Sequence, residues 1–514
     1  MATFKLAVIL TNPSNEDEFL LTKQARPSKF EVEEYDSYID SDLWDLPSVQ
    51  LSLGESDIQV QGDNSFDLSK FDLHLALNQI SEQVGIDSLI ERRWRFWKYV
   101  EEPEFGPGSP IHTVFITTHY SLAERGYSVA CLWTTSTHCS KWLTEVTQDS
   151  YRIGPLVANS FLHDSEYSKW EHSHSLHYQE YPLGIILVPM GSRTSKPFST
   201  TNLVVIAPQT IASVEKDKDF VAYGDALMVD PGCKLQFHQQ LADIVAALPR
   251  KLVVFVTHHH PDHVGGLSVI QICNPDAVLV AHKNTMNRIG KDDWSLGYTS
   301  VFGGEEICIG GQWLQVIFAP GHTDGHMGLL HISTHTLIVG DHCVGQGSAV
   351  LDAFSGGSMA DYFDTTYKFL GLLPNTIVPM HGRVNLWPNH MLCQYLKNRR
   401  DRESSVLKAI ENGATTLFEI VSTIYKDVDR RLWLAASSNV RLHVEHLAQQ
   451  HKLPEGMSLS RFHRTCGLHF VLNWLWVYTD NLFLSNIRRP KLIVSIVVAG
   501  VAAFYCVSKN HNYV

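Results

Sequence analysis

The feature that most constrains this chain is a cluster of histidines and one aspartate, HHHPDH, at residues 258–263 directly after an apolar run. The cluster has the form H-x-H-x-D-H. Alternate residues at the end of a strand point to the same side, so His258 and His260 can bind one metal ion. The turn that follows can bring Asp262 and His263 to a second ion. Imidazole and carboxylate ligands without thiolate favour zinc, although manganese and iron accept the same ligands.

Four further short motifs follow apolar, strand-like runs and supply companion ligands. They are Ala226–Gly232 with Asp230, Ala319–His326 with His322, Leu337–Asp341 with Asp341, and Ile377–Gly382 with His381. His322 can complete a three-histidine set, the carboxylate of Asp341 can bridge two cations, and His381 is available to the second metal. Asp230 is suited to hydrogen-bonding the ligands from behind.

The five motifs, in this order and at this spacing, resemble those of the metallo-β-lactamase superfamily, and the likeness covers residues 183–385. The resemblance implies an α/β fold, the αββα sandwich. The stretches PGHTDGHMGLL and GDHCVGQGS, with the helix-rich sequence after His381, are most similar to the β-lactamase-like endoribonuclease subgroup, whose members cut single-stranded RNA.

The resemblance also implies a di-zinc hydrolase. One zinc ion would be held by His258, His260 and His322, a second by Asp262, His263 and His381, and Asp341 would bridge them. Two such cations, about 3.5–4 Å apart, lower the pKa of a shared water toward 7 and give a bridging hydroxide. Asp262 would orient that hydroxide as the catalytic residue. Packing or hydrogen-bonding roles suit His326 and His342, which neighbour the ligands.

Residues 1–165 contain β-like runs and one helical stretch, Asp72 to Val84, and resemble a degenerate Nudix domain. A working Nudix helix reads R-E-x-x-E-E-x-G, and its glutamates bind magnesium. Here Asn78, Gln79 and Gln83 replace the arginine and two glutamates, which leaves Glu82 alone. We therefore expect no pyrophosphatase activity, and an unrelated α/β domain remains the alternative.

Residues 391–455 are expected to be helical and resemble the winged-helix-like module of the endoribonuclease subgroup. They include a basic cluster, expected to be exposed, in which Lys397, Arg399 and Arg400 are candidate phosphate-binding residues. The net charge of -13 argues against a broad cationic surface for nucleic acid, but it permits a local basic groove.

Residues 492–507 form an uncharged apolar run, preceded by Arg488, Arg489 and Lys491. A spanning helix usually needs about 17–25 residues, so this run predicts a short C-terminal transmembrane anchor. The flanking positive charges place the catalytic part on the cytosolic side of a tail-anchored protein, and the organelle stays open. The nine cysteines contain no C-x-x-C pair, which fits a reducing compartment.

Three functions follow from these patterns. The first is a di-zinc hydrolase that cuts a phosphodiester, with single-stranded RNA as its substrate. The second keeps the metals but acts as a thioesterase, or a glyoxalase-II-like enzyme, on a small acyl substrate. The third is an inactive membrane-anchored scaffold. The same hydroxide serves the first two functions, so the motifs do not separate them, whereas the intact ligand set argues against the third.

Overall fold

The computed structural model describes residues 2–62, 66–86, 89–120, 130–147, 149–161, 170, 176–209 and 219–484. The chain divides into two compact units. The first comprises Met1–Ala319, Gly325–Ser348 and Tyr367–Cys393, and the second comprises Pro320–Asp324, Ala349–Thr366 and Gln394–Val514.

In its described residues, the first unit begins with a nine-stranded mixed sheet and three α-helices. The elements are β1 (Thr3–Asn12), β2 (Asn15–Lys23), β3 (Leu43–Asp45), β4 (Ser48–Gln50), β5 (Val60–Gln61), α1 (Leu73–Val84), β6 (Trp94–Val100), β7 (Ile111–His119), β8 (Cys131–Thr135), α2 (Ser136–Thr144), β9 (Arg152–Ile153) and α3 (Pro155–Phe161). The strand order is β5-β6-β7-β1-β2-β3-β9, with β4 on β1 and β8 on β2. The predicted end of this domain, residue 165, lies outside the described residues.

Helix α1 confirms the helix predicted from the sequence. Asp72 begins it, because its carboxylate accepts a hydrogen bond from the backbone N–H of Leu75, and Gly85 ends it in the left-handed conformation. The side chain of Gln83 accepts a hydrogen bond from the backbone N–H of Ser48 at 3.2 Å. This residue therefore supports strand β4, a structural use for a position where a Nudix helix carries a glutamate. The Nudix-like assignment itself stays a prediction.

The rest of the first unit forms two further sheets. Its elements are β10 (Gln179–Glu180), β11 (Ile186–Gly191), β12 (Thr200–Ile206), β13 (Ala222–Gly224), β14 (Ala226–Val229), α4 (His238–Ala247), β15 (Leu252–Phe255), α5 (Pro261–Val264), α6 (Leu267–Cys273), β16 (Val278–Ala281), α7 (Lys283–Met286), β17 (Tyr298–Ser300), β18 (Glu306–Ile309), β19 (Gln312–Phe318), β20 (Met327–His331), β21 (Thr336–Ile338) and β22 (Thr376–Val378). One sheet has the order β10-β11-β12-β14-β15-β16-β17, and the other β13-β18-β19-β20-β21-β22.

These two sheets pack face to face over an apolar core. Leu187 and Val204 of the first sheet meet Leu314 and Leu329 of the second, and all four side chains are fully buried. Helices α4 and α6 cover the other face of the seven-stranded sheet. Burial on both faces explains why its strands are continuous apolar runs. The predicted α/β sandwich is confirmed.

The candidate ligands lie at strand ends, as the sequence predicts. Strands β14 and β15 are parallel neighbours in one sheet, and β21 and β22 are parallel neighbours in the other. Asp230 follows β14, the HHHPDH segment follows β15, Asp341 follows β21, and His381 follows β22. Each pair of motifs therefore emerges at a common carboxyl edge of its sheet.

The regular elements in the described residues of the second unit are all helices. Helix α8 (Met359–Gly371) and helix α9 (Pro388–Glu411) each run from one unit into the other, and α10 (Leu417–Ile424), α11 (Trp433–Gln449), α12 (Leu459–His463) and α13 (Leu468–Leu484) follow. Val406 of α9, Ile420, Val440 and Phe462 share its core. Helices α9, α10 and α11 agree with the expectation that residues 391–455 are helical.

The prediction of a transmembrane anchor falls on residues 492–507, which lie outside the described residues. Across the part of the chain that is described, no helix is both long and apolar enough to cross a membrane. Helix α9 has 24 residues but is highly charged, and α13 has only 17. A span needs about 20 mostly apolar residues. The predictions of a tail anchor, of a membrane partner and of a membrane location are corrected accordingly.

Candidate metal centre

Asp230 is a fully buried carboxylate that organises the ligands around it. Its Oδ1 accepts the backbone N–H of Thr257 at 2.8 Å. Its Oδ2 accepts the hydroxyl of Thr257 at 2.6 Å and Nδ1 of His263 at 2.8 Å. Three donors therefore converge on one side chain, and the imidazole of His263 is held with Nδ1 protonated.

Gly232 lets the chain after Asp230 pass directly beside the HHHPDH segment. A Cβ atom at this position would lie 1.7 Å from the carbonyl oxygen of Asp262 and 2.5 Å from the backbone nitrogen of His263. Only glycine permits this approach, because both neighbours are backbone atoms that cannot rotate away. The motif that supplies Asp230 thus also packs against two candidate ligands.

The hydrogen bonds of His263 and His381 fix Nδ1 of each ring as the protonated nitrogen of the neutral form. Nδ1 of His381 donates to the carbonyl oxygen of Thr200 at 2.9 Å, as Nδ1 of His263 donates to Asp230. In the neutral imidazole the lone pair is then on Nε2. Nε2 of His263 is buried and has no hydrogen-bond partner among the described residues. A buried ring nitrogen that makes no hydrogen bond and faces carboxylates is suited to a metal ion.

Asp341 faces both halves of the centre. Its Oδ1 lies 3.4 Å from Nε2 of His263 and 3.3 Å from Nε2 of His381, while its Oδ2 lies 4.0 Å from Nε2 of His258. Oδ2 of Asp262 also approaches Nε2 of His381, at 3.4 Å. Carboxylate oxygens and imidazole lone pairs repel one another, so protons or cations must lie between them.

His258 and His260 converge in the same way. The hydroxyl of Thr257 gives its single proton to Asp230, so it accepts from Nδ1 of His258 at 3.0 Å. Nε2 of His258 is then the lone-pair nitrogen, and it lies 3.0 Å from Nδ1 of His260. The carboxylate of Asp230 thereby orients His258 through a hydroxyl and His263 directly.

Within the first unit, two groups of possible ligand atoms consist of predicted ligands alone. Atoms of His258, His260 and Asp341 lie within 4.8 Å of one another, and so do those of the second group, Asp262, His263 and His381. Nitrogen and oxygen donors without thiolate fit zinc, and both groups have enough of them to start a coordination shell.

The pKa values of the second group reflect its crowded charges. Burial lowers the pKa of His381, but the carboxylates of Asp341 and Asp262 outweigh it and raise the pKa to about 10. Burial likewise lowers the pKa of His263, but Asp341, Asp262 and Asp230 hold it well above the usual value. Burial raises the pKa of Asp262, but His263 and His381 reverse the effect and bring it down to about 2.

Those shifts mean that, without a metal, protons hold the second group together. A divalent cation bound there replaces them, so metal binding and proton release are coupled.

His326 is hydrogen-bonded to the backbone of Asp341 and of Ala319 through its two ring nitrogens, so it is not placed as a metal ligand. Its Nδ1 donates to the carbonyl oxygen of Ala319 at 2.9 Å, and its Nε2 accepts the backbone N–H of Asp341 at 3.1 Å. Burial lowers the pKa of His326 to about 3, so the ring is neutral, as this pattern requires. The hydrogen-bonding role expected for His326 agrees with these contacts. His342 is buried and packs its ring edge-on against Phe369.

Three residues with roles at the centre were not found from the sequence. Thr257 relays the orientation of His258, and Thr200 fixes the tautomer of His381. Asn202 holds the loop of His381, because its side-chain amide donates to the carbonyl oxygens of Pro379 and Gly382, each at 2.8 Å. Thr257 adjoins the histidine cluster in sequence, whereas Thr200 and Asn202 carry no motif that could have revealed them.

His322 belongs to the second unit, in the segment Pro320–Asp324. It is 4% exposed, and its Nδ1 donates to the carbonyl oxygen of Val350 at 2.8 Å. Nε2 is therefore its lone-pair nitrogen. The ring has the same tautomer as His258, His263 and His381.

The candidate phosphate-binding residues lie on α9 in the second unit. Lys397 pairs with Asp401 at 2.5 Å. Arg399 is 4% exposed and donates to the carbonyl oxygen of Ala349, which differs from the exposed position expected for it. Arg400 is half-buried.

The family comparisons agree with this geometry. Residues 221–381 match the metallo-beta-lactamase superfamily, and residues 416–458 match the beta-lactamase associated winged helix domain. The chain therefore carries a metallo-beta-lactamase superfamily domain followed by a winged-helix domain, which confirms both parts of the expected fold.

Similar proteins with curated names include the Beta-lactamase-like protein 2 homologs of Drosophila melanogaster and Caenorhabditis elegans. The fly protein is 27% identical over 232 residues, covering 42% of this chain and 76% of that protein. The nematode protein is 29% identical over 199 residues, covering 38% of this chain and 64% of its own length, which is less than two thirds. A solved beta-lactamase domain protein from Burkholderia ambifaria is 18% identical and covers 56% of this chain and 92% of that chain, with a TM-score of 0.46.

Proposed function

We propose that this protein is a di-zinc hydrolase that cuts phosphodiester bonds, with single-stranded RNA as its substrate. The observation that carries the metal part is the buried Nε2 of His263. It lacks a hydrogen-bond partner among the described residues, and its ring is held by Asp230 in the tautomer that a metal ligand needs.

The proposed ligands follow from the two groups of donor atoms. His258, His260 and His322 would hold one zinc, Asp262, His263 and His381 would hold the other, and Asp341 would serve both. His322 is included because its motif supplies the predicted third histidine, and because its Nδ1 donates to a carbonyl oxygen, so that Nε2 carries the lone pair as in the other histidines. The oxygens of Asp341 face different groups, which suits a bridging carboxylate.

Asp230, Asp262 and Asp341 carry the chemistry that the chain itself supplies. When bound, two divalent cations about 3.5–4 Å apart lower the pKa of water toward 7 and polarise the oxygen under attack. Asp262, with its low pKa, stays ionised and can accept a hydrogen bond from the attacking water and orient it. Asp230 keeps the histidine rings aligned during turnover.

A cleft of about 380 Å³ beside the HHHPDH segment is lined by His259 and Pro261 but by none of the proposed ligands, so it would bind a flanking part of an anionic substrate. His259 lines it together with Arg193, His238 and Arg288, and Asp293 is an acidic neighbour. Guanidinium groups recognise phosphate oxygens through paired hydrogen bonds. A flanking phosphate of an RNA strand would fit such a cleft, whereas a small neutral acyl group would gain little from it.

The test compares the full-length protein and its Asp262→Ala variant on a single-stranded RNA, a duplex RNA and a panel of thioesters. An exposed carboxylate on a distant loop, Asp276, provides the control Asp276→Ala. We expect cleavage of the single strand by the wild type and the control, and a loss of at least about 100-fold in the Asp262 variant. RNA cleavage that persists in the variant would expose a contaminant. Turnover of thioesters alone would replace this proposal with the acyl-hydrolase alternative.

The cleft has its own test in the double variant Arg193→Ala with Arg288→Ala. We expect KM for RNA to rise by about 10-fold or more, with little change in kcat, because phosphate contacts away from the scissile bond contribute uniform binding. An unchanged KM would remove the cleft from the substrate path.

A further inference from the structure

Residues 349–353 of the second unit form a short irregular segment, here called the strap, whose backbone is hydrogen-bonded to side chains of α9 and α11. Arg399 of α9 donates to the carbonyl oxygen of Ala349 at 2.5 Å. Its guanidinium also lies over the ring of Tyr362, 4.7 Å from the ring centroid. With 4% of its surface exposed, Arg399 is committed to the strap.

Helix α11 fastens the next residues of the strap. The side chain of Asn439 accepts the backbone N–H of Leu351 at 3.0 Å and reaches the carbonyl oxygen of Ala349 at 3.5 Å. The hydroxyl of Ser438 donates to the carbonyl oxygen of Leu351 at 2.6 Å and accepts the N–H of Ala353 at 3.3 Å. The winged-helix domain thus binds peptide groups on either side of Val350.

Val350 is the residue whose carbonyl oxygen accepts Nδ1–H of His322. A second hydrogen bond joins His322 to the strap: the backbone N–H of Asp352 donates to the carbonyl oxygen of His322 at 2.9 Å. The ring and the backbone of His322 are therefore both tied to a segment that Asn439, Ser438 and Arg399 immobilise.

We propose that Asn439 and Arg399 are positioning residues for the metal centre, and that the winged-helix domain sets the orientation of the ligand His322 through the strap. This inference rests on the proposed function, in which His322 is a zinc ligand. It assigns the winged-helix domain a part in metal binding, in addition to any contact with substrate.

The physical basis is the orientation of the imidazole. A carbonyl oxygen that is fixed in space fixes the direction of Nε2 on the opposite side of the ring, and loss of such a partner typically lowers metal affinity by about 10–100-fold. Because the described contacts of Asn439 and Arg399 lead to the centre through the strap and His322, the loss should fall on one zinc and spare the other.

The experiment is a zinc titration of the full-length protein against a chromophoric chelator, which resolves the two affinities without measuring activity. The variants are Asn439→Ala, His322→Ala, and the two combined. A milder pair, Ser438→Ala and Ser437→Ala, provides a matched control, because Ser437 lies on the same helix but donates to Leu434. Thermal melting of each metal-free variant reports whether it is folded.

We expect Asn439→Ala to weaken one zinc by about 10–100-fold and His322→Ala to weaken the same zinc, with no further loss in the double variant. Ser438→Ala should weaken that zinc by a smaller factor, and Ser437→Ala should not. Unchanged affinities in both Asn439→Ala and Ser438→Ala, equal weakening of both zinc ions, or additive losses in the double variant would overturn the inference and leave the proposed function intact. Binding of less than one zinc by the wild type would overturn both.

Discussion

Replacing Asp230 with asparagine tests the hydrogen-bond scheme of the metal centre. Asp230 has a φ of 50°, a conformation that asparagine tolerates nearly as well as aspartate, so the backbone should keep its path. The change acts on hydrogen bonding alone. Two carboxylate oxygens accept three donors from Thr257 and His263, whereas an amide has a single accepting oxygen.

The size of the effect follows from counting those donors. If the amide oxygen replaces Oδ2, its NH2 group faces the N–H of Thr257; if it replaces Oδ1, the NH2 group faces both Nδ1–H of His263 and the Thr257 hydroxyl. At least one buried donor loses its partner, which costs about 1–3 kcal/mol. Loss of a partner behind a metal ligand lowers affinity by about 10–100-fold. That factor equals about 1.4–2.8 kcal/mol, so the two magnitudes agree.

Both zinc ions should be affected, because Asp230 contacts His263 directly and His258 through Thr257. The assay is the same chelator competition, with Asp225→Asn, in the turn before β14, as the control. We expect Asp230→Asn to weaken both sites by about 10-fold or more. The reasoning would be refuted if both affinities stayed within about threefold of the wild type, a difference of under 1 kcal/mol, in a folded variant.

Three further predictions concern other parts of the chain. Gly232→Ala should destabilise the protein by about 1–3 kcal/mol in a denaturant melt, because a Cβ would overlap the backbone of Asp262, whereas Gly371→Ala, with nothing within 4 Å, should not destabilise it. Zinc binding at pH 7 should release about two protons, because His263 and His381 exchange protons for zinc, and the affinity should rise as the pH rises. Calorimetry in buffers of different ionisation heat measures the number of protons released. Zinc binding without proton release would contradict the pKa shifts. No magnesium-dependent diphosphate hydrolysis is expected from the N-terminal sheet domain, and activity abolished by Glu82→Gln would reverse that prediction.

Much of the sandwich and its candidate ligands could be predicted because both depend on local patterns. The run Ala226–Val229 is apolar throughout, since its strand is buried on both faces, and it ends where Asp230 begins. The spacing of the HHHPDH segment reflects a strand end followed by a tight turn, which is again a local property. In short motifs of this kind, the local backbone alone determines how the ligand side chains are arranged.

Contacts between distant parts of the chain could not be predicted in this way. The bond that fixes the tautomer of His381 joins it to Thr200, 181 residues away. A threonine carbonyl carries no sequence signal, because every residue has one. Asn202 carries no sequence signal either, since it donates hydrogen bonds to the loop after β22, which is far away in the sequence.

Arg399 shows a different limit of sequence patterns. Its neighbours Lys397 and Arg400 suggest a solvent-facing basic cluster, and the helical period alone does not reveal what covers each side of α9. The strap covers Arg399, because its peptide carbonyls need donors and the guanidinium provides them. The prediction that Arg399 is exposed was therefore wrong, because charged neighbours in the sequence do not show which face of the helix is covered.

The zinc content of the purified full-length protein tests the central claim most directly. After zinc loading and removal of unbound metal, native mass spectrometry should show two zinc ions per chain, as a di-metal centre requires. The variant His263→Ala should lose one of them. Fewer than one bound zinc ion in the folded wild type would contradict the account, because the buried Nε2 of His263 would then have no metal to bind.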